Sequence, residues 1–539
     1  MSDAAPSATT PTPDAPPTSE KPLANPVFRA LWIATVVSNI GTWMHDVGAS
    51  WLMTSLSPSP LMVALVQAAT TFPIFLLSLP AGALADIVDR RKLLIAAQAF
   101  ALVAMAVLAV MTYFDITTGW MLLVFTAAIS VGGALSAPAF QAIVPELVPH
   151  KSLQQAVALN SLGINIARAI GPAVGGAIIA LSGPWAVFAL NAVSVIGILF
   201  VLFRWQRQVA PRRLPAEHFI GGMRAGVRYA LRAPELKVIL ARSMAFFLFA
   251  SSMWALLPLI ARRDMGLGPA GYGALLTFMG GGAIAGALLL PKIRAKLSTN
   301  RMTLIASLVL AVVIFALSFV KSFAPAAAIL TFGGFAWIAM MAALNGGAQA
   351  SSPAWVKARA LAIYLLVFQG AMTAGSTIWG ATASRIGIAP TLEIAAILLV
   401  IATLFSVWRF PIGEAGSVNL TPSMHWPAPD IDSDVAHDRG PVMVTIEYKI
   451  DTDALDDFSA AMANMRRIRV RDGAIQWGIY QDAADPTLVV EFFTVESWLE
   501  HLRQHDRVTH TDKLDQDVVH AFHRGSEPPR VRHLITPDS

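Results

Sequence analysis

The chain has 539 residues, 55% of them hydrophobic and 14% charged, against about 25% charged in soluble globular proteins. Most of it is therefore dissolved in lipid, which excludes an ordinary soluble enzyme. The net charge of +5 reports basic loops at a membrane face rather than a nucleic-acid surface, and the absence of cysteine excludes disulfides and thiolate metal sites.

Residues 1–24 are rich in Pro, Thr, Ala and Ser and read as a disordered tail. They lack the basic and apolar regions of a cleaved signal, so the N-terminus is expected to stay in the cytoplasm. Between Val27 and Phe410 about twelve apolar stretches approach the ~20 residues needed to span a bilayer. They cover 28–55, 61–85, 93–114, 120–145, 153–181, 184–204, 236–261, 270–291, 302–321, 324–350, 358–383 and 388–409. The predicted fold is an all-α membrane protein of twelve transmembrane helices in two six-helix halves. The N-terminal bundle covers 25–204, a cytoplasmic linker 205–235, and the C-terminal bundle 236–410.

Charge sets the orientation. The even-numbered turns carry Arg90, Arg91, Lys92, Lys151, Lys292, Arg294, Lys296, Lys357 and Arg359, and the central linker adds six arginines between Arg207 and Arg232. The opposite loops hold only Arg262, Arg263, Lys321 and Arg385. The excess of cations places both termini in the cytoplasm of a multi-pass protein. An internal repeat supports the two halves: Asn165 overlays Gln369, Gly171 overlays Gly375, and Gly176 overlays Gly380, while Arg168 meets Met372.

Charges inside spans mark function by default. Asp46 lies in the first span and Arg168 in the fifth, at comparable depth, and they are the candidate proton-coupling pair. The adjacent His45 is expected to point elsewhere. Arg168 directly precedes Gly171-Pro172-Ala173-Val174-Gly175-Gly176, where the glycines admit a close helix contact and the proline weakens the hydrogen-bond ladder. Amides and tryptophans in the spans give the substrate-cavity candidates Trp43, Gln67, Asn160, Asn165, Asn345, Gln349, Gln369 and Trp379, although each also suits a helix–helix bond or an interfacial anchor. In the first basic hairpin, Gly82, Asp86 and Arg90, with Glu146 two helices on, form a candidate cytoplasmic latch. No P-loop is present, so ATP-driven transport is not expected.

After a Pro- and Asp-bearing linker, 411–440, the text from Pro441 to Ser539 is soluble. Strands are predicted at 442–450, 474–481, 487–494 and 530–535, and helices at 451–469, 497–504 and 508–523, the β-α-β-β-α-β order of a ferredoxin-like α+β domain. His501 and His505 are four apart, and solvated helix histidines are the favoured reading over a metal site.

The hairpin Gly82-Ala83-Leu84-Ala85-Asp86-Ile87-Val88-Asp89-Arg90-Arg91-Lys92 resembles the loop signature of the major facilitator superfamily, with Ile87 and Asp89 departing from it. The stretch from Val144-Pro145-Glu146 through Asn160, the Gly171–Gly176 run, Ala360–Tyr364, Gln369-Gly370 and Trp379-Gly380 resemble the superfamily's secretion-effector branch, which includes the enterobactin exporter. That resemblance implies the major facilitator fold. It also implies export of a small molecule (siderophore, drug or secondary metabolite) across a bacterial inner membrane by alternating access, with proton antiport and no cofactor. Import remains open on the residues alone. The tail, through Glu447–Ile450, Arg471–Ala474, Trp477-Gly478 and Phe492–His505, resembles dimeric α+β barrel domains related to antibiotic-biosynthesis monooxygenases. It reads as a binding or self-association module. The alternative is a membrane-tethered enzyme or sensor acting on the transported molecule. The expected partners are thus the bilayer, protons and a small molecule, with no nucleic acid.

Overall fold

A computed structural model describes residues 21–205, 219–413, 419–426, 435–436 and 438–537. Residues 1–20 of the expected tail, 206–218 of the central linker, and 414–418, 427–434 and 437 of the second linker lie outside the described residues. Pro22–Ala24 form a 3-10 turn, and Asn25 caps the following helix by accepting from the backbone N–H groups of Val27 and Phe28.

Twelve long helices follow in two groups. The first is α1 (Pro26–Leu56), α2 (Pro60–Ile87), α3 (Arg90–Tyr113), α4 (Gly119–Leu147), α5 (Leu153–Ser182) and α6 (Pro184–Arg204). After α7 (Phe219–Arg232) come α8 (Pro234–Leu259), α9 (Pro269–Arg294), α10 (Thr299–Leu317), α11 (Phe323–Ala350), α12 (Lys357–Ile386) and α13 (Ile388–Arg409). Among the described residues, eleven helices are long and apolar enough to cross a membrane. The remaining long helix is α1, whose Arg29, Asn39, His45 and Asp46 lower its hydropathy although its 31 residues rise about 46 Å. It packs between α5 and α6.

The repeat seen in the sequence recurs in the backbone. Gly183 and Gly387 end α5 and α12 at φ +88° and +92°, a left-handed value that a glycine adopts without strain. A Cβ on Gly171 would meet Trp43 on α1, and one on Gly375 would meet Leu248 and Ser251 on α8. One turn further, Gly176 faces Pro269, Ala270 and Gly273 of α9, while Gly380 faces Pro60, Leu61 and Ala64 of α2. Each repeated glycine pair thus packs its helix once inside its own half and once across to the other half.

The halves are joined near the α1–α2 turn. Thr71 and Thr373 share a 2.7 Å hydrogen bond, and the Leu61 N–H donates to Ser384. After Pro258, α8 widens into a π turn, Ile260–Asp264. From that turn Arg262 donates to Thr54 and Ser55, and Arg263 donates to the Pro58 carbonyl.

The end of the chain forms β1 (Val442–Lys449), α14 (Leu455–Asp472), β2 (Gln476–Gln481), β3 (Leu488–Val495), α15 (Trp498–Arg507), α16 (His510–His520) and β4 (Arg530–Ile535). The antiparallel sheet has the order β2-β3-β1-β4, with Val442 opposite Val495 on one side and Ile535 on the other. Alternate residues of β1, from Val442 to Tyr448, pack under Phe458, Met462, Met465 and Ile468 of α14.

Candidate functional site

A cavity of about 290 Å³ lies between the two halves. Helices α1, α2 and α5 supply one wall, and α8, α9, α11 and α12 the other. Asp46 and Arg168 both face it, as do Trp43, Gln67 and Gln369. Arg168 shares this space with its repeat partner Met372, so a cation and a thioether occupy pseudo-equivalent positions. The Arg168 guanidinium lies 5.7 Å from the Trp43 ring centroid, a cation–π distance. Asp46 and Arg168 form no ion pair with each other. A charged pair that shares a cavity without closing on itself is available to a third group.

The other half contributes aromatic faces. Trp43 is 6.4 Å from Trp254, and Trp254 is 5.4 Å from Trp337 in an edge-on contact. Trp337 continues to Phe247, and Phe247 to Phe368. Tyr272, Met279 and Met341 complete the apolar lining. The cavity thus has a few polar points on a largely apolar wall, the usual make-up of a small-molecule site.

A second, larger chamber of about 720 Å³ lies wholly inside the first half. Asp46 and Thr70 line it as well, and so form the wall between the two spaces. Asn160 lines this chamber and not the inter-half cavity. His45 does not line the inter-half cavity, as its place beside Asp46 led one to expect, but it does border this chamber. Neighbours on a helix diverge by about 100°, but the chamber is wide enough to meet both.

Other sequence candidates fall elsewhere. Asn165 donates back to the Ser161 carbonyl. Gln349 donates to Asn345 at 2.6 Å on the same helix. Trp379 donates to the Leu248 carbonyl at 2.8 Å and packs against Phe249. These four lie outside both sets of lining residues. Gly171 and Gly175 hold α5 against α1, and Gly176 holds it against α9. Pro172 lines the inter-half cavity. In the candidate latch, Arg90 pairs with Glu146 at 2.9 Å and donates to the Ala142 carbonyl. Those contacts bind α3 to α4 within one half rather than half to half. A Cβ on Gly82 would meet open space, and the Asp86 side chain lies outside the described residues.

Tyr272 and Arg242 were not singled out from sequence. Arg242 on α8 is buried and donates to Asn300, Thr303 and Ser406, three neutral oxygens that hold α8 to α10 and α13. It is a charge inside an apolar run, the same signal that marked Arg168.

The α+β domain carries a separate polar core. Glu491, fully buried on β3, accepts from Arg469, Tyr448 and the Trp477 indole. Trp426 lies over Arg469 at 4.9 Å, meets His505 edge-on and donates to Gln516. His501 and His505 touch through their Nε2 atoms at 3.3 Å. Burial comes first among the causes that hold both below the ordinary histidine value, at about 3 for His501 and about 4 for His505, followed by the neighbouring His533.

The segment 219–232, read as part of a linker, is a helix because it has a surface to cover. Ala225, Tyr229 and Ala230 are buried, Arg224 and Arg232 are exposed, and Arg228 is half-buried. Tyr229 donates to the Ser351 carbonyl and meets Trp355 edge-on. Arg228 approaches Glu500 at 3.6 Å and donates to the Arg471 carbonyl, while Arg507 lies 4.6 Å over Trp355. Helix α7, between the two halves in sequence, is therefore also the dock of the α+β domain.

Residues 18–539 match the family described as Transmembrane secretion effector. Among curated relatives, the Staphyloferrin A transporter of Staphylococcus aureus is 26% identical over 255 residues, 47% of this chain and 64% of that protein. Macrolide efflux protein A of Streptococcus pyogenes is 24% identical over 172 residues, 32% of this chain and 41% of that protein. The chain thus spans less than two thirds of these relatives' length. Among solved structures, a bacterial homologue of the human lysosomal transporter Spinster, inward-facing and unoccupied, aligns with a TM-score of 0.58 at 14% identity, covering 72% of this chain and 97% of that one. A POT family transporter in complex with 5-aminolevulinic acid aligns with a TM-score of 0.60 at 13% identity, covering 71% and 96%. At these identities the likeness is one of fold.

Proposed function

The chain belongs to the transmembrane secretion effector family, and from that premise we propose that it is a secondary transporter exporting a small molecule by alternating access with proton antiport. In this reading α1 is the twelfth span, and the basic turns, both termini and the α+β domain are cytoplasmic. The substrate is of the siderophore, drug or secondary-metabolite kind. The carrying observation is that Asp46 and Arg168 face one cavity between the halves without pairing. Because neither group is held by the other, a substrate or proton that enters the cavity can engage either of them. Small residues on α5 and α12 let these helices lie close against the other half. The test compares small-molecule content in a deletion strain and its parent, with and without a protonophore. Export predicts a compound that accumulates in the deletion strain, and a protonophore-treated parent that resembles it. A compound depleted in the deletion strain supports import and overturns the reading.

A second reading makes the α+β domain a ligand-binding or catalytic module. It is favoured by unpartnered buried atoms on Arg469, His501 and Gln504. Deleting residues 441–539 decides it: an altered exported compound supports catalysis, and an unchanged one supports a sensing or structural role.

A further inference from the structure

Trp426 belongs to the linker between α13 and β1, yet it is seated in the α+β domain. Its indole lies over Arg469 of α14, meets His505 of α15 edge-on at 5.0 Å, and donates from Nε1 to Gln516 of α16 at 2.9 Å. Three helices thus form a slot, and a ring from outside the domain fills it. The strap that carries the ring is thin. Where it passes the start of α16, the Ser423 N–H donates to the Val508 carbonyl, and the His510 and Thr511 N–H groups donate to the Thr421 and Asn419 carbonyls. Trp426 is half-buried, and Thr421, Pro422 and Met424 are exposed. A segment with few buried contacts opens at low cost.

The floor of the slot is not a plain apolar core. The Arg469 guanidinium is sandwiched between the Phe493 and Trp426 rings, with centroids at 4.7 and 4.9 Å. Its Nε and Nη2 donate to the two Glu491 oxygens, while Nη1 has no hydrogen-bond partner among the described residues. A buried donor without a partner is rare, and costlier on a charged group. Trp426 does not satisfy it, because an indole offers a donor and a ring face but no acceptor. The ring therefore covers Arg469 without completing it, and the guanidinium becomes reachable when that ring leaves.

We propose that Trp426 is a tethered plug in a ligand slot, and that the ligand which displaces it is a planar aromatic molecule carrying an acceptor group such as a carboxylate. The proposal rests on the second reading above, of the α+β domain as a ligand-binding module, and deepens it by naming the place and the class. The ligand's ring takes the indole's position over Arg469, and its acceptor receives the hydrogen bond that Nη1 has to give. The linker competes at the high effective concentration of a tether, so the slot stays closed until the ligand is abundant, and occupancy releases the strap from α16.

The test uses the full chain in lipid nanodiscs and two probes on one ring, indole-3-carboxylate and 3-(aminomethyl)indole; the first adds an acceptor and the second only donors. Equilibrium dialysis reads binding, and amide exchange locates it. In the wild type, saturating carboxylate should raise exchange at Ser423, His510 and Thr511 as the strap lets go. Trp426→Ala removes the plug, and should bind the carboxylate about tenfold or more tighter than the wild type does, and tighter than it binds the amine. Trp408→Ala removes an exposed indole on α13 and should leave binding unchanged. Thermal melting verifies folding, and if Trp426→Ala does not fold, the wild-type exchange decides alone. No saturable binding by folded Trp426→Ala, equal affinity of that variant and the wild type, equal affinity for the two probes, or saturation of the wild type without a rise in exchange overturns the proposal. An altered exported compound on deletion of residues 441–539, with no displacement of Trp426, would keep the second reading and remove this slot from it.

Discussion

Gly176→Ala tests whether the α5–α9 crossing is a separable contact between the halves. The added Cβ would lie 2.7 Å from the Pro269 carbonyl oxygen, 3.1 Å from the Gly273 Cα and 3.2 Å from the Ala270 Cα. All three are backbone atoms, so no side chain can turn aside. Restoring ordinary contact requires the helices to part by roughly half an ångström to an ångström, and such overpacking costs about 1–3 kcal/mol. If the contact exists only in the state seen here, that cost falls on this state alone. It then shifts the two-state ratio by roughly 5- to 150-fold toward the alternative. The chain has no cysteine, so spin labels at Ser57→Cys and Gly268→Cys report the separation of the halves without background. Gly176→Ala should lengthen that distance distribution. Gly282→Ala is the control: its Cβ would strike the Thr331 backbone within the second half. It should lower the melting temperature and leave the distances alone. An unchanged distribution for Gly176→Ala, or the same shift for both variants, would refute the separable contact.

Four further outcomes follow from the same geometry. Arg90→Gln removes a partly exposed ion pair with Glu146 and should cost no more than about 1 kcal/mol in thermal stability; a larger loss would make the pair a major structural support. Glu491→Gln strips the charge that Arg469 needs in a buried site and should destabilise the α+β domain by about 3–5 kcal/mol, read as faster proteolysis of that domain in the full chain. His501 and His505 have folded values depressed to about 3 and about 4, against about 6.5 unfolded. Protons therefore bind the unfolded domain first, and its stability, full above pH of about 6.5, is lost as the pH falls from there through those depressed values; denaturant titrations that show no loss between neutral pH and pH of about 4 would count against the burial of the pair. Arg228→Ala together with Arg507→Ala removes the dock to Glu500 and Trp355, and should raise amide exchange in α7 while leaving α5 and α9 unchanged.

The spans were legible because lipid demands long apolar runs, and the repeat because Gly171/Gly375 and Gly176/Gly380 serve the same two contacts in each half. The strand–helix order of the tail was legible for a similar reason: Val442, Val444, Ile446 and Tyr448 alternate as a half-buried strand must. What sequence could not supply is rotational phase. Gln67 and Trp379 are both polar-tipped groups on apolar helices, yet one faces the cavity and the other a carbonyl on α8. The exposed pairing of Asn345 with Gln349 is likewise a choice of face. Helix α7 was hidden because its arginines match a basic loop, and its small buried face only makes sense against Trp355 and α14. The chamber beside His45 is assembled from residues on six helices, and of these the sequence reading names only Asp46 and Asn160 as site candidates.

The central claim is proton-coupled export through Asp46. Its most direct test restores a deletion strain with wild-type protein or with Asp46→Asn at equal membrane abundance, and measures accumulation of the compound that the deletion retains. The account predicts parental levels with the wild type and deletion-strain levels with Asp46→Asn. Full restoration by Asp46→Asn would contradict it.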